Sequence, residues 1–236
     1  MVQRKTLVGR LVAALTRRID ARWPDTDRPR RRKVILQWDY DQANLQPPEG
    51  EPDLDGLNEA LRLLHTDETE AFERLYRLAV AGSGSAANAV GEAYQYGYGV
   101  KIDEAAAEHW YRRACDQGRR RGLLNYGRLL WRQGRSTEAE QVFLKGEQAD
   151  WAPAIYWLAV VRTTRAPLTW LFRSRSLLER AAAAGSPGAT GALGMILVLG
   201  AGGPGQVRRG IELVLAYADA VKAPVVHTTP AGDTLH

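Results

Sequence analysis

The sequence predicts an all-α chain built as a helical solenoid, and three observations carry that prediction: a recurring pattern of small residues, its period, and the turn signals between its copies. Counted from Gly82, the pattern places Ala86 at plus four, Val90 at plus eight and Gly91 at plus nine. From Gly118 the same offsets fall on Gly122, Tyr126 and Gly127, and from Gly185 on Ala189, Leu193 and Gly194. A degenerate copy starts at Asp150 with Ala154, Leu158 and Ala159, so the intervals are 36 (82 to 118), 32 (118 to 150) and 35 residues (150 to 185). A fixed period of this length marks a repeat array whose units bury their apolar faces only by stacking on one another.

Each copy reads as two helices. Ala86, Ala89, Val90 and Ala93 sit at helical spacing and give the first helix, A, a face of small residues that admits a close neighbour. A glycine-rich turn, Gly97-Tyr98-Gly99, follows, and Asp103 then serves as the N-cap of a second helix, B, carrying Ala106, Ala107, Trp110, Tyr111 and Ala114. Gly118 closes helix B as a C-capping glycine. The order helix B, glycine, helix A, glycine-rich turn, with AAAEHWYRRACDQG beside GEAYQYGYGVKID, resembles the Sel-one-like repeat family, a relative of the tetratricopeptide repeats, over residues 67–222. That resemblance implies a right-handed superhelix of paired antiparallel helices that holds proteins together and does no chemistry. Two copies depart from the family pattern. The second has only Trp131-Arg132-Gln133-Gly134-Arg135 as its turn, and the third has RTTRAPLTWLFRSR.

The chain of 236 residues, 45% hydrophobic and 25% charged, can bury an adequate core, and the array is expected over residues 57–224 as one elongated domain of about four repeats. A single cysteine, Cys115, excludes an internal disulfide framework and suits a reducing, cytoplasmic setting. Charge is unevenly placed: residues 1–33 hold eleven Lys or Arg against three Asp, a net +8, which leaves −3 for the rest of the formal +5.

The basic character therefore belongs to an arm, residues 1–40. Leu7, Val8, Leu11, Val12, Leu15 and Ile19 line one side of a helix, with Arg10 and Arg17 opposite. Arg10 splits the apolar run and Arg17-Arg18 follow it, which is unlike a cleaved secretory signal. The run RPRRRK comes next, including Arg30, Arg31, Arg32 and Lys33, and then the strand-like VILQWDY. These are the ingredients of an interfacial helix with a polybasic segment on an anionic membrane surface, each basic residue contributing about 1 kcal/mol. A helix of this kind equally serves as a cap on its own solenoid or on a partner. Residues 41–56, with three prolines and several acids, read as a linker.

Within the array, Leu57, Leu61 and Leu64 suggest a short helix ahead of a helix B over residues 67–81 carrying Ala71, Phe72, Leu75, Tyr76 and Ala79. Thr137 and Glu140 fit a capping box. The third-copy turn sets Trp170, Leu171 and Phe172 between arginines, either folded back or displayed as a docking site. Residues 181–205 carry no charge but contain Pro187 and hold the repeat register, so a buried helix A explains them better than a membrane span. A final helix over 211–221 stops at Pro224, and residues 225–236 form a polar tail.

Chemistry is thin. The glycines from Gly200 to Gly205 match a dinucleotide loop literally but lack a βαβ context. His65, His109, His227 and His236 share no metal-binding spacing with one another or with Cys115, and the adjacent carboxylates Asp103 and Glu104 suit a helix start. Neither a cofactor, a metal nor a catalytic residue is expected, and a hydrolase is disfavoured. The expected function is an adaptor that binds a protein partner within a larger complex, through helix-A side chains Tyr94, Tyr126, Arg128, Tyr156 and Arg162 on the concave face and through Trp170, Leu171 and Phe172. A peripheral place on the cytoplasmic side of an inner membrane fits the arm. The alternatives are a soluble adaptor, or a nucleic-acid binder using residues 28–33 with Arg119-Arg120-Arg121. Only Trp23 and Trp38 flank the basic run, short of the interleaved aromatics that nucleic-acid stacking needs.

Overall fold

The computed structural model describes residues 51–165, 174–200 and 203–222. Every regular element among them is helical, and they fall into two compact units, residues 51–165 and residues 174–222. The first unit holds α1 (Leu54–Leu63), α2 (Glu68–Val80), α3 (Gly84–Tyr96), α4 (Glu104–Asp116), α5 (Arg120–Arg132), α6 (Ser136–Gln148) and α7 (Ala152–Arg165). The second holds α8 (Arg175–Ala183), α9 (Pro187–Val198) and α10 (Val207–Lys222), the last preceded by a 3₁₀ turn, Pro204–Gln206. In each unit consecutive helices pack together, and in the first α3 also touches α5, which touches α7. Helices α3, α5 and α7 thus share a layer, that of helix A, backed by the B helices α2, α4 and α6.

The four residues from which the repeat was counted share one structural role. Gly82, Gly118, Asp150 and Gly185 all have positive φ (108°, 74°, 49° and 89°), and each ends a helix B. The amide just after each returns to a carbonyl of the helix it leaves: Ser83 to Leu78, Arg119 to Ala114, Trp151 to Gly146 and Ser186 to Ala181, all at 3.0 Å. This six-to-one bond satisfies a carbonyl that the helix end would otherwise orphan, and it needs a left-handed residue, which glycine supplies without a Cβ clash. Asp150 is the only non-glycine with positive φ among the described residues. At the other ends, Asp53, Asp67, Ser83, Asp103 and Ser186 accept backbone amides from their first turns.

Packing explains the other offsets. At plus nine, a Cβ added to Gly91 would lie 2.6 Å from Tyr111, and one added to Gly127 would lie 2.5 Å from Phe143. In the second unit the same test at Gly194 meets Val214 at 2.8 Å. Each helix-A glycine therefore receives a side chain from the following helix B. Tyr111 and Phe143 are fully buried there, where removing a large apolar side chain from water is worth about 2–3 kcal/mol. At plus four, Ala86, Ala154 and Ala189 are all fully buried.

The glycine-rich turn is as expected: Gly97 and Gly99 have φ of 84° and 66°, and Asp103 caps α4 through Ala105 and Ala106. Gly99 lies against the start of α2, where a Cβ would overlap the Glu68 carbonyl.

Two local expectations need correcting. Helix α6 starts at Ser136 behind Arg135, so Thr137 lies inside the first turn and is not an N-cap. Glu140 therefore lies two residues beyond the N3 position that a capping box uses, and it accepts from Arg162 Nε at 2.7 Å. Helix α1 begins at Leu54, capped by Asp53, so part of the stretch read as linker is ordered on the array. The charge-free stretch 181–205 breaks at Gly185 into two helices, and no helix among the described residues is long and apolar enough to cross a membrane.

Candidate partner-binding surface

Helix α3 buries Ala86, Ala87, Ala89, Val90 and Ala93, which leaves Asn88, Glu92, Gln95 and Tyr96 along another stripe. On α5 the matching stripe is Arg121, Asn125, Arg128 and Arg132. The two stripes meet in a polar lattice between neighbouring A helices. Asn125 Nδ2 donates to Asn88 Oδ1 and to Glu92 Oε1, both at 2.9 Å. Asn88 Nδ2 donates to Glu92 at 3.2 Å, and Arg121 reaches the same carboxylate with Nε and Nη2 at 3.2 and 3.3 Å. Asn88 and Asn125 are only 4% and 5% exposed, so their amides must find partners within the protein, and each fixes the other. One turn further on, the Gln95 amide bridges α4 and α5, donating to the Tyr111 hydroxyl at 2.6 Å and accepting from Arg132 at 2.7 Å.

Between α5 and α7 the contacts become aromatic. Arg128 stacks 5.3 Å from the Trp157 ring, which Trp131 and Tyr156 meet edge-on at 5.5 and 5.7 Å. Phe143 stacks on the same indole from α6 at 6.2 Å.

The five helix-A residues expected on a partner-binding face are thus distributed unevenly. Arg128 and Tyr156 come together around Trp157, with Arg128 buried. Arg162 is ion-paired with Glu140. Tyr94 lies edge-on to Phe72 at 5.4 Å, and Tyr126 packs against Ala107, Tyr111 and Leu129, both wedged between helices. Burial raises both phenols, helped at Tyr94 by Tyr76 and Asp103, and at Tyr126 by Glu108. Trp170, Leu171 and Phe172 lie outside the described residues, as do Leu7, Leu11, Leu15, Ile19 and the run Arg30, Arg31, Arg32 and Lys33.

Residues that sequence reasoning missed are Asn88, Glu92, Gln95, Arg121, Asn125 and Arg132. A visible signal existed: amides and charges at helical spacing on two A helices otherwise lined with small or apolar residues. Beside them the first-copy turn exposes a tyrosine pair, Tyr96 at 46% and Tyr98 at 42%, with rings 5.7 Å apart, and Ile102 at 60%. Tyr96 lies four residues after Glu92, on the same stripe of α3.

Elsewhere, the second-copy turn is tied down electrostatically. Arg135 donates to Glu108 and Glu138, both at 2.7 Å, and its hydrogen bond holds the Glu138 carboxyl below the ordinary range. Cys115 is buried, and burial pushes its thiol up to about 11, with Lys145 lowering and Asp116 raising it. A thiol so protonated is a poor nucleophile. Among the described residues no group of three or more His, Cys, Asp or Glu is placed to hold a metal ion.

No family model and no curated protein matches the chain. Among solved structures, it is similar to the crystal structure of a Sel1 repeat protein from Oxalobacter formigenes, at 20% identity and a TM-score of 0.58, over 75% of this chain and 74% of that one. It is also similar to a protective antigen of uropathogenic Escherichia coli displaying an SLR fold, at 22% identity and a TM-score of 0.59, over 70% of this chain and 38% of that one. The fold is the Sel1-like repeat fold that the glycine register and the B-to-A order imply.

Proposed function

We propose that this Sel1-like repeat chain is a non-enzymatic interaction scaffold that binds a protein partner on its helix-A layer, along the edge where α3 carries Glu92 and Tyr96. The observation that carries the reading is the polar lattice of Asn88, Glu92, Arg121 and Asn125, edged by the exposed pair Tyr96 and Tyr98. The lattice fixes the spacing of successive A helices, and rigid tyrosines supply contact area at low entropic cost. Quantitative affinity purification from the source organism tests it, comparing the wild-type chain with Tyr96→Ser, Tyr98→Ser and with Val80→Ser, a control at an exposed helix-B position. Proteins retained by wild type and by the control but lost from the tyrosine variant support this face. Equal recovery by all three removes it.

A finer reading follows from the charge partition. The chain works as a peripheral component of a membrane-associated complex on the cytoplasmic side, tethered by residues 1–33 and docking through Trp170, Leu171 and Phe172. The net +8 of residues 1–33 against a slightly acidic remainder supports it. Retention in washed membranes is then expected to fall for a chain lacking residues 1–33 and for Trp170→Ala, Phe172→Ala. Full recovery of all forms in the soluble fraction would leave only the scaffold.

A further inference from the structure

Glu51 sits ahead of α1, yet its carboxylate is seated at the amino terminus of α3. Its side chain is 1% exposed. Oε2 accepts from the Ser83 hydroxyl at 2.5 Å, while Oε1 accepts from the Ser85 hydroxyl at 2.5 Å and the Ser85 amide at 3.1 Å. Arg119, at the start of α5 and itself 13% exposed, adds a guanidinium contact from Nη2 to Oε1 at 2.9 Å. Ser83 Oγ meanwhile accepts from the Ala86 amide at 3.0 Å, so the hydroxyl that caps the helix also points its proton at the carboxylate. Gly84 is part of the arrangement, because a Cβ there would come within 2.8 Å of Arg119 Cγ and push that side chain off the first turn.

This is a complete carboxylate-binding constellation: two hydroxyl donors, a helix-terminal amide and a guanidinium from the neighbouring A helix, converging on one buried anion. Burial by itself raises the Glu51 carboxyl, but the bonds from Ser83 and Ser85 and the charge of Arg119 outweigh it and hold the group below its ordinary value. The donors belong to the array, whereas the anion belongs to the segment that leads into it. The Glu51 side chain fastens this point of the chain to α3 and to Arg119, and two residues further on Asp53 caps α1. A carboxylate arriving from outside would meet the same donors, in competition with a Glu51 that is tethered beside them.

We propose that Ser83, Ser85 and Arg119 form a carboxylate socket, that Glu51 is its resident plug, and that a carboxylate of a protein partner takes the socket when Glu51 withdraws. The partner half rests on the scaffold reading above, while the socket itself does not.

The test uses the full-length chain and removes the plug. In Glu51→Ala, sodium acetate is expected to raise the melting temperature by several degrees over sodium chloride at equal ionic strength, with no such difference in wild type, whose socket is filled. Adding Arg119→Gln, or separately Gly84→Ala, to Glu51→Ala should abolish the acetate effect. Equal responses to acetate and chloride overturn the socket, and equal rescue by inorganic phosphate overturns its assignment to carboxylates. Two capped probes then separate the sources: acetyl-glutamate amide presents a side-chain carboxylate, and acetyl-triglycine presents a free carboxy terminus, each against its fully amidated form. Binding of either probe to the wild-type chain, more weakly than to Glu51→Ala, supports the partner half and identifies the group, whereas binding to Glu51→Ala alone overturns that half. Loss of the purified partners in the Tyr96→Ser, Tyr98→Ser comparison is a separate readout, so the scaffold and the socket can fail independently.

Discussion

The first and second copies obey the same packing rule and differ in everything that rule leaves open. In both, a helix-A glycine faces a ring from the following helix B: Gly91 with Tyr111, and Gly127 with Phe143. In both, a left-handed residue ends helix B and feeds the next helix A, Gly118 in one and Asp150 in the other. Their A-to-B turns share a left-handed glycine after helix A, Gly97 and Gly134, and little else. Residues 97–103 form a glycine-bent loop that displays Tyr98 and Ile102, while the second copy crosses in a tight turn at Gly134 and pins it with Arg135 between Glu108 and Glu138. Backbone register is thus dictated by close approach and helix termination, and individuality lies in the turns and in the polar or aromatic side chains between neighbouring A helices.

The sharpest way to break that comparison is to violate the shared rule. Gly91→Leu and Gly127→Leu should each destabilise by about 2–3 kcal/mol in denaturant unfolding, because each forces a side chain into a ring that is already buried. Similar losses in the two copies would show a common rule, and a loss in only one would show that the copies pack differently.

A smaller effect is expected at helix termination. Gly118→Ala should cost about 1 kcal/mol through the left-handed backbone alone, since a Cβ there meets nothing within 4 Å. Thermal melts that leave Gly118→Ala unchanged would mean that the six-to-one closure tolerates any residue.

The turns should matter least. Arg135→Ala removes contacts from a guanidinium side chain that is 36% exposed, so about 0.5 kcal/mol is expected, shrinking with added salt.

Cys115 gives a pH-dependent check on how closed the first copy is. Its folded-state value of about 11 lies above the ordinary 9.0, so the protonated thiol favours the folded chain. That contribution is fully present below pH 9 and is lost as the pH rises towards 11. Cys115→Ser is expected to flatten the fall in stability over that window, and the native thiol should react with a disulfide reagent only as fast as the chain opens.

The same contrast explains what could be read from the sequence. Turn glycines and the small-residue face of helix A are legible because each is tied to a fixed offset; the rings that fill the glycine gaps come from the structure. Tyr126 occupies the plus-eight position that Val90 and Leu193 fill in the core, and is itself half-buried against the cluster of Ala107, Tyr111 and Leu129. Arg128 is an arginine on a helix and reads as surface, yet stacking on Trp157 keeps it buried, and nothing in its own copy announces that indole. The Asn88–Asn125 bond and the Glu51 seat join residues 37 and 32 positions apart, so they depend on how one copy lies against the next and not on spacing within a copy.

The rule itself is tested most directly by a double-mutant cycle between Gly91→Leu and Tyr111→Ala, followed by chemical denaturation. If the glycine exists to admit the ring, removing the ring should make room for the leucine, and the double variant should be more stable than the sum of the single losses by over about 1 kcal/mol. Additive losses would contradict it, because Gly91 and Tyr111 would then not be sharing one space.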